Sequence, residues 1–326
     1  MAHQSVLIRI PATVGNFAGA MNCAALALDA SLNVKVTPRT DGHVGVRYFG
    51  ANGERVPRDR SNLIVRAMEA ALHLRGLEFT GADLEIYSSV PVAVGLGSST
   101  ASVLAGLMAA DRLFRLGLDE KTLFDLAMIY ERRCDNLRAA WAGGFAARVK
   151  DQPSPSYRRT VVPENFVLNV VVPDTPLAAG GKREVARDGC SSRDFQQRAA
   201  ALAKFFARPG DNPGLDLDAP LPPTCEKSVP GLEEALQVHL PGLLSVFVCG
   251  SGPAVGILAQ GDRAATARAV ADCFARWGVA TTAGEFRPTN AGAQDWNAVH
   301  AEITRPVPRA LETSREPLET SNIITV

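Results

Sequence analysis

A chain of 326 residues, 46% hydrophobic and 21% charged, is long enough for a sizeable core and has the composition of a soluble globular protein. Lysine plus arginine equals aspartate plus glutamate at 34 each, and three tryptophans and four tyrosines are few for base stacking. No global field draws such a chain to nucleic acid or to an acidic membrane. Its six cysteines are scattered without a C-x-x-C pair, which speaks for reduced cytosolic thiols rather than a disulfide framework or zinc site. The N-terminus lacks a basic, then apolar leader, and no apolar run reaches transmembrane length, so the expectation is a cytoplasmic protein.

In chain order, residues 5–10 alternate as a short strand ending at Pro11, and 12–22 read as a loop with two glycines and two asparagines. Residues 23–29 are dense in alanine and leucine, a helix or the start of a buried strand. Residues 32–37 and 43–49 alternate like strands, with Asp41-Gly42 as the turn between them. A helix follows over 61–74, with apolar Leu63, Ile64, Ala67, Met68, Ala71 and Leu72 at helical spacing and Ser61 or Asn62 as its cap. Residues 82–87 form a strand, 102–116 a helix, and Asp119 caps a further helix over 120–135.

Ala142-Gly143-Gly144-Phe145-Ala146 reads as a turn into a strand, and 166–172 as a buried strand. A helix over 192–206 precedes a Pro-, Gly- and Asp-rich loop at 208–223. A short helix at 232–239 and a strand at 243–249 come next. Gly250-Ser251-Gly252-Pro253 breaks that strand, which resumes at 254–259 before a helix at 263–277 and a closing strand at 279–287. This irregular interleaving is α+β, with halves 1–155 and 156–296 and a loose tail at 297–326.

The most informative stretch is Pro91-Val92-Ala93-Val94-Gly95-Leu96-Gly97-Ser98-Ser99-Thr100-Ala101. It runs from a strand into an apolar helix, so glycines and serines stand at a helix N-terminus. Free amides and the positive end of the helix dipole favour an anion there, most often a phosphate. The pattern is neither the Walker loop nor the dinucleotide fingerprint. A serine-capped glycine turn would look the same, and flanking segments have to decide.

Three segments recur together: Ala12 to Asn22, Pro91 to Ala101, and Cys249-Gly250-Ser251-Gly252-Pro253. On these motifs the chain resembles the GHMP small-molecule kinases and, within them, the homoserine kinases, over nearly its whole length. The resemblance implies two domains, a ribosomal-protein-S5-like N-terminal one and a ferredoxin-like C-terminal one. It implies transfer of the γ-phosphoryl of ATP, with Mg²⁺, to a small-molecule alcohol, and residues 91–101 as the ATP phosphate loop. Ser98 and Glu131 match metal-holding positions, and Ser98 and Asn136 catalytic ones. Asn16, Asn22, Asn136, Arg183, Gly250 and Gly252 match substrate-binding positions, with Arg183 as a clamp for the acceptor carboxylate. A homodimer is the default for such an enzyme.

Departures cluster on the acceptor side. Asn22 stands where homoserine kinases carry the aspartate that would pair with the substrate ammonium group, and Ala179 where they carry a threonine. Cys225, with Lys227 the nearest cation, stands where a second arginine is usual, and Arg133-Cys134 replaces a His-Pro. The best single acceptor is L-homoserine, on the way to threonine. The alternatives are another hydroxy acid or alcohol, or a catalytically silent nucleotide-binding module.

Overall fold

The computed structural model describes residues 5–131, 133–149, 156–175, 193–208 and 229–297. Two sheets organise them. A six-stranded sheet contains β1 (Val6–Gly15), β2 (Ala24–Pro38), β3 (Val44–Phe49), β4 (Ala82–Ser88), β5 (Phe145–Arg148) and β6 (Tyr157–Thr160). A four-stranded antiparallel sheet, ordered β10-β7-β9-β8, joins β7 (Leu168–Pro173), β8 (Leu243–Val248), β9 (Val255–Ala259) and β10 (Thr281–Phe286). The helices are α1 (Leu63–Leu74), α2 (Ser98–Phe114), α3 (Glu120–Tyr130), α4 (Cys134–Ala142), α5 (Arg193–Ala207), α6 (Leu232–Leu236), α7 (Arg263–Ala275) and α8 (Ala293–Trp296). The fold is α+β.

Several local expectations change. β1 runs straight through Pro11 to Gly15, so the first part of the expected loop is strand. The segments 23–29 and 32–37 are one strand, β2, with an irregularity between them. Pro11 pairs with Ser31 but Ala12 with Leu28, which leaves Asp29 and Ala30 as extra residues on β2. Two extra residues leave the alternation intact, so even-numbered side chains keep facing inward, while the irregularity bends the strand pair from one core toward the other. Ile8, Ile10, Leu32, Val34 and Val36 accordingly pack with α1, α2 and α3. Beyond the bulge Ala12, Val14, Leu26 and Leu28 pack with residues of the second sheet and α5.

The Asp41-Gly42 turn exists, but it does not make a hairpin. β4 lies between β2 and β3, antiparallel to the first and parallel to the second. β6 and α8 were not anticipated. Asn297, the first residue of the expected tail, is buried and clamps the backbone of Arg9. Its Nδ2 donates to the Arg9 carbonyl at 2.7 Å and its Oδ1 accepts from the Arg9 amide at 3.1 Å. Residues 298–326 lie outside the described residues.

Phe17 joins the two sheets. It is fully buried in the short turn after β1, its ring 5.6 Å from Phe145, 5.8 Å from Phe206 and 5.0 Å from Phe247. Those rings belong to β5, α5 and β8. Phe17→Ala is expected to destabilise the protein by about 3–5 kcal/mol, since a cavity opens where several elements meet. Denaturant unfolding measures this, and a loss under about 1 kcal/mol would show that the sheets dock without the aromatic cluster.

Candidate active site

The three segments singled out in the sequence meet at one place. The Thr13 amide donates to the Leu96 carbonyl at 3.2 Å, and the Ala254 amide to the Val94 carbonyl at 3.0 Å. The Gly250 amide donates to the Gly15 carbonyl at 2.8 Å, and Asn16 Nδ2 to the Gly250 carbonyl at 2.7 Å. Backbone thus meets backbone, and side chains would obstruct it. Gly95 has φ +99°, and a Cβ there would run into the Cys249 carbonyl. At Gly15, a Cβ would overlap the Arg133 guanidinium.

α2 begins at Ser98, and its N-cap is Gly97 in the left-handed region, φ +75°. Glycine offers no side chain to the first-turn amides, which have no intrahelical acceptor. They are left for an external anion, at the positive end of a seventeen-residue helix. Ser98 Oγ accepts from the Ala93 amide at 3.3 Å and holds the loop's curve.

Glu131 faces the same helix start. The expected helix over 120–135 is in fact broken: α3 closes with the Glu131 amide on the Ala127 carbonyl at 2.8 Å, Glu131 itself is extended, and α4 starts at Cys134. The break turns the Glu131 side chain onto α2. Its Oε2 accepts from Ser99 Oγ at 2.7 Å and Thr100 Oγ1 at 2.9 Å, and its Oε1 from the Arg133 amide at 3.2 Å. Ser99 and Thr100, rather than Ser98, hold this carboxylate. Among the described residues no group of three or more His, Cys, Asp or Glu is placed to cage a metal. A single carboxylate fits Mg²⁺ all the same, because that ion takes one or two carboxylates and fills its octahedron with phosphate oxygens and water.

Beyond Glu131 lies a buried polar cluster. Arg133 Nη2 donates to Asn16 Oδ1 at 2.9 Å and to Asp135 Oδ2 at 3.4 Å, and Asn16 Oδ1 also accepts from the Asn22 amide at 3.0 Å. Asp135 is fully buried and Asn136 nearly so, and each leaves an Oδ1 without a partner. The Tyr157 hydroxyl donates to the Asn22 carbonyl at 3.2 Å; burial, with the Asp135 carboxylate nearby, pushes that phenol well above its ordinary range, so it stays neutral. Burial also pushes the Cys249 thiol up, which favours its neutral form. Arg183, Ala179, Cys225 and Lys227 lie outside the described residues.

A cavity of about 630 Å³ opens onto this assembly, large enough for a nucleotide-sized ligand. Gly95, Gly97, Ser98, Ser99, Glu131, Arg133, Asn136, Gly250 and Ser251 line its polar part, and Leu32, Tyr48, Pro57 and Ile86 its apolar part. Asn16 and Asn22 do not line it; Asn16 braces Arg133 and Gly250 from behind, and the Asn22 amide holds Asn16. Sequence reasoning passed over Thr13, Gly15 and Tyr157. Only Gly15 carried a signal, a glycine directly before Asn16.

The family model for the GHMP kinases N terminal domain matches residues 62–144, the stretch holding α1, the loop 91–101, Glu131 and Asn136. A homoserine kinase from Solibacter usitatus is 30% identical over 254 residues, which is 76% of this chain and 83% of that protein. The chain belongs to the homoserine kinase family of GHMP kinases. A second member, from Moorella thermoacetica, is 29% identical over 296 residues, covering 88% of this chain and 98% of that one. The fold agrees. The homoserine kinase structure from Cytophaga hutchinsonii superposes with a TM-score of 0.69 at 20% identity, over 88% of this chain and 96% of that one. The L. major mevalonate kinase in complex with R-mevalonate gives 0.61 at 13% identity, over 89% and 98%.

Proposed function

We propose that the protein transfers the γ-phosphoryl group of ATP to the side-chain hydroxyl of L-homoserine, giving O-phospho-L-homoserine for threonine biosynthesis. One observation carries this reading in a chain of the homoserine kinase family. Glu131 is hydrogen-bonded to Ser99 and Thr100 at the open start of α2, on the wall of a nucleotide-sized cavity. An anion-binding helix end and an anchored carboxylate side by side are what a metal–triphosphate needs, and are of no use to a neutral ligand.

Phosphoryl transfer asks for positioning and charge neutralisation more than covalent chemistry. The amides at the start of α2 bind the phosphates, and the apolar part of the cavity takes the base. Glu131, with Ser98 beside it, would hold Mg²⁺, which when bound supplies charge neutralisation to the phosphate oxygens. Asn136, whose Oδ1 has no protein partner, orients the acceptor hydroxyl, and Gly250 lines the cavity from the second-sheet side; Gly252 does not line it, and its amide is spent on the Cys249 carbonyl at 2.7 Å. Arg183 is proposed to clamp the acceptor carboxylate. Asp135 is not placed as a base, since it is fully buried and paired with Arg133.

ATP consumption against a panel of alcohols tests the reading. Turnover with L-homoserine is expected, and its absence alongside turnover of mevalonate-type or sugar alcohols would overturn the acceptor. The panel includes the hydroxy acid that lacks the amino group, because Asn22 brings no countercharge for an ammonium. Exclusive turnover of that analogue would make it the acceptor. Ser98→Ala is expected to lower kcat by about tenfold with unchanged thermal stability, since it removes one weak hydrogen bond of the loop. A wild-type rate would remove Ser98 from the machinery.

A further inference from the structure

We propose that Arg133 is a catalytic residue that grips the transferring phosphoryl group, with Asp135 and Asn16 as the residues that position it. The proposal rests on the kinase reading above and adds a cation that the phosphate loop itself lacks.

The argument starts from charge. Residues 91–101 contain no lysine or arginine, so the loop offers the triphosphate only amides, hydroxyls and a helix end. The charge that develops on the transferring group needs a positive partner close by. Among the side chains lining the cavity, the cations are Arg55 and Arg133. Arg55 lies beside Glu54, its side chain 36% exposed, where water screens it. The Arg133 side chain is 11% exposed, and in such a site a charge acts at greater strength.

Placement follows. The Arg133 amide is bonded to Glu131, so the guanidinium belongs to a residue two positions from the proposed metal carboxylate. Its Nη1 reaches to where the two glycine loops touch: it lies 3.5 Å from the position a Cβ on Gly250 would take, and that position is 2.7 Å from the Gly95 carbonyl. Orientation is fixed by the far edge, where Nη2 serves Asn16 and Asp135. Nε is buried without a partner. A guanidinium anchored through Nη2 leaves Nη1 to donate to a phosphoryl oxygen while its orientation stays fixed, and a lysine ammonium cannot meet both ends at once.

The test uses the full chain with Arg133→Gln and Arg133→Lys. kcat is expected to fall roughly hundredfold in the Gln variant, with KM for the acceptor changed less than threefold. Without acceptor, the preference for MgATP over MgADP is expected to shrink in both variants, because only ATP carries the group that Arg133 touches. An unchanged kcat, or a rise confined to the acceptor KM, would overturn the proposal, the latter marking a carboxylate clamp. Equal losses of ATP and ADP affinity with a lowered melting temperature would also overturn it, since a merely structural arginine does that. If the Gln variant fails to fold, the ATP-over-ADP ratio of the Lys variant decides. That binding ratio needs no turnover, so it tests Arg133 even where wild-type enzyme leaves L-homoserine untouched and the acceptor assignment fails.

Discussion

Replacing Gly95 with alanine is expected to abolish nucleotide binding and to lower kcat/KM for ATP by about a thousandfold, near 4 kcal/mol of lost transition-state stabilisation. Two effects add at this position. The backbone sits at φ +99°, where a Cβ is strained by about 1–3 kcal/mol. The added carbon also overlaps the Cys249 carbonyl, and backbone cannot rotate away as a side chain would. That carbonyl is already fixed, accepting the Gly252 amide at 2.7 Å. Relief therefore requires the 91–101 loop and the Gly250 turn to separate, which opens the cavity wall they jointly form. Calorimetric titration with ADP, with a thermal melt in parallel, measures the loss. Gly76→Ala is the control: φ is +67° but nothing lies within 4 Å of the added carbon, so stability alone is expected to fall, by about 1 kcal/mol. If Gly95→Ala bound ADP as tightly as the wild type, the contact between the loops would have no part in holding nucleotide.

What could be read from the sequence is what short-range chemistry determines. α1 announces itself through Leu63, Ile64, Ala67, Met68, Ala71 and Leu72, and the cap is Asn62, whose Oδ1 accepts the Ile64 amide at 3.0 Å. The loop at 91–101 is legible for the same reason: glycines before a serine-led helix describe their own geometry. Long-range pairing is not legible in this way. β3 alternates as well beside β4 as it would beside β2, and nothing in residues 41–42 reveals that a strand forty residues later inserts between them. Periodicity likewise carries α3 past Tyr130, because Glu131 and Arg133 are good helix formers. The break there is set by tertiary bonds from Ser99, Thr100 and the Arg133 amide, which offer the Glu131 carboxylate more than another helical turn would. The support behind the cavity leaves the least trace in the sequence. Asn16 bonds Arg133, and the Asn22 backbone bonds Asn16 and Tyr157; such long-range contacts have no local pattern.

Glu131 is accordingly the residue whose loss is expected to cost the most chemistry. Glu131→Gln keeps the shape and leaves an amide oxygen that still accepts from Ser99 and Thr100, but its NH2 cannot accept the Arg133 amide, so folding is expected to lose about 1–2 kcal/mol. What disappears is the negative charge on the cavity wall. On the proposed reading that charge would hold Mg²⁺, whose own charge would be supplied to the phosphate oxygens. Without it, kcat is expected to fall by about a thousandfold or more, since a metal contributes several kcal/mol of charge stabilisation to such a transfer. The Mg²⁺ concentration for half-maximal rate is expected to rise at least tenfold. Binding of ADP in the absence of Mg²⁺ is expected to stay the same or tighten slightly, because a carboxylate beside bare phosphates repels them. This opposite response of the two nucleotide forms separates a metal-holding carboxylate from a structural one. Glu131→Ala sharpens the contrast: it strands the Ser99 and Thr100 hydroxyls as well, so a larger melting-point drop joins the loss of rate. A Gln variant with an unaltered Mg²⁺ requirement and undiminished kcat would show that Glu131 only pins the start of α2.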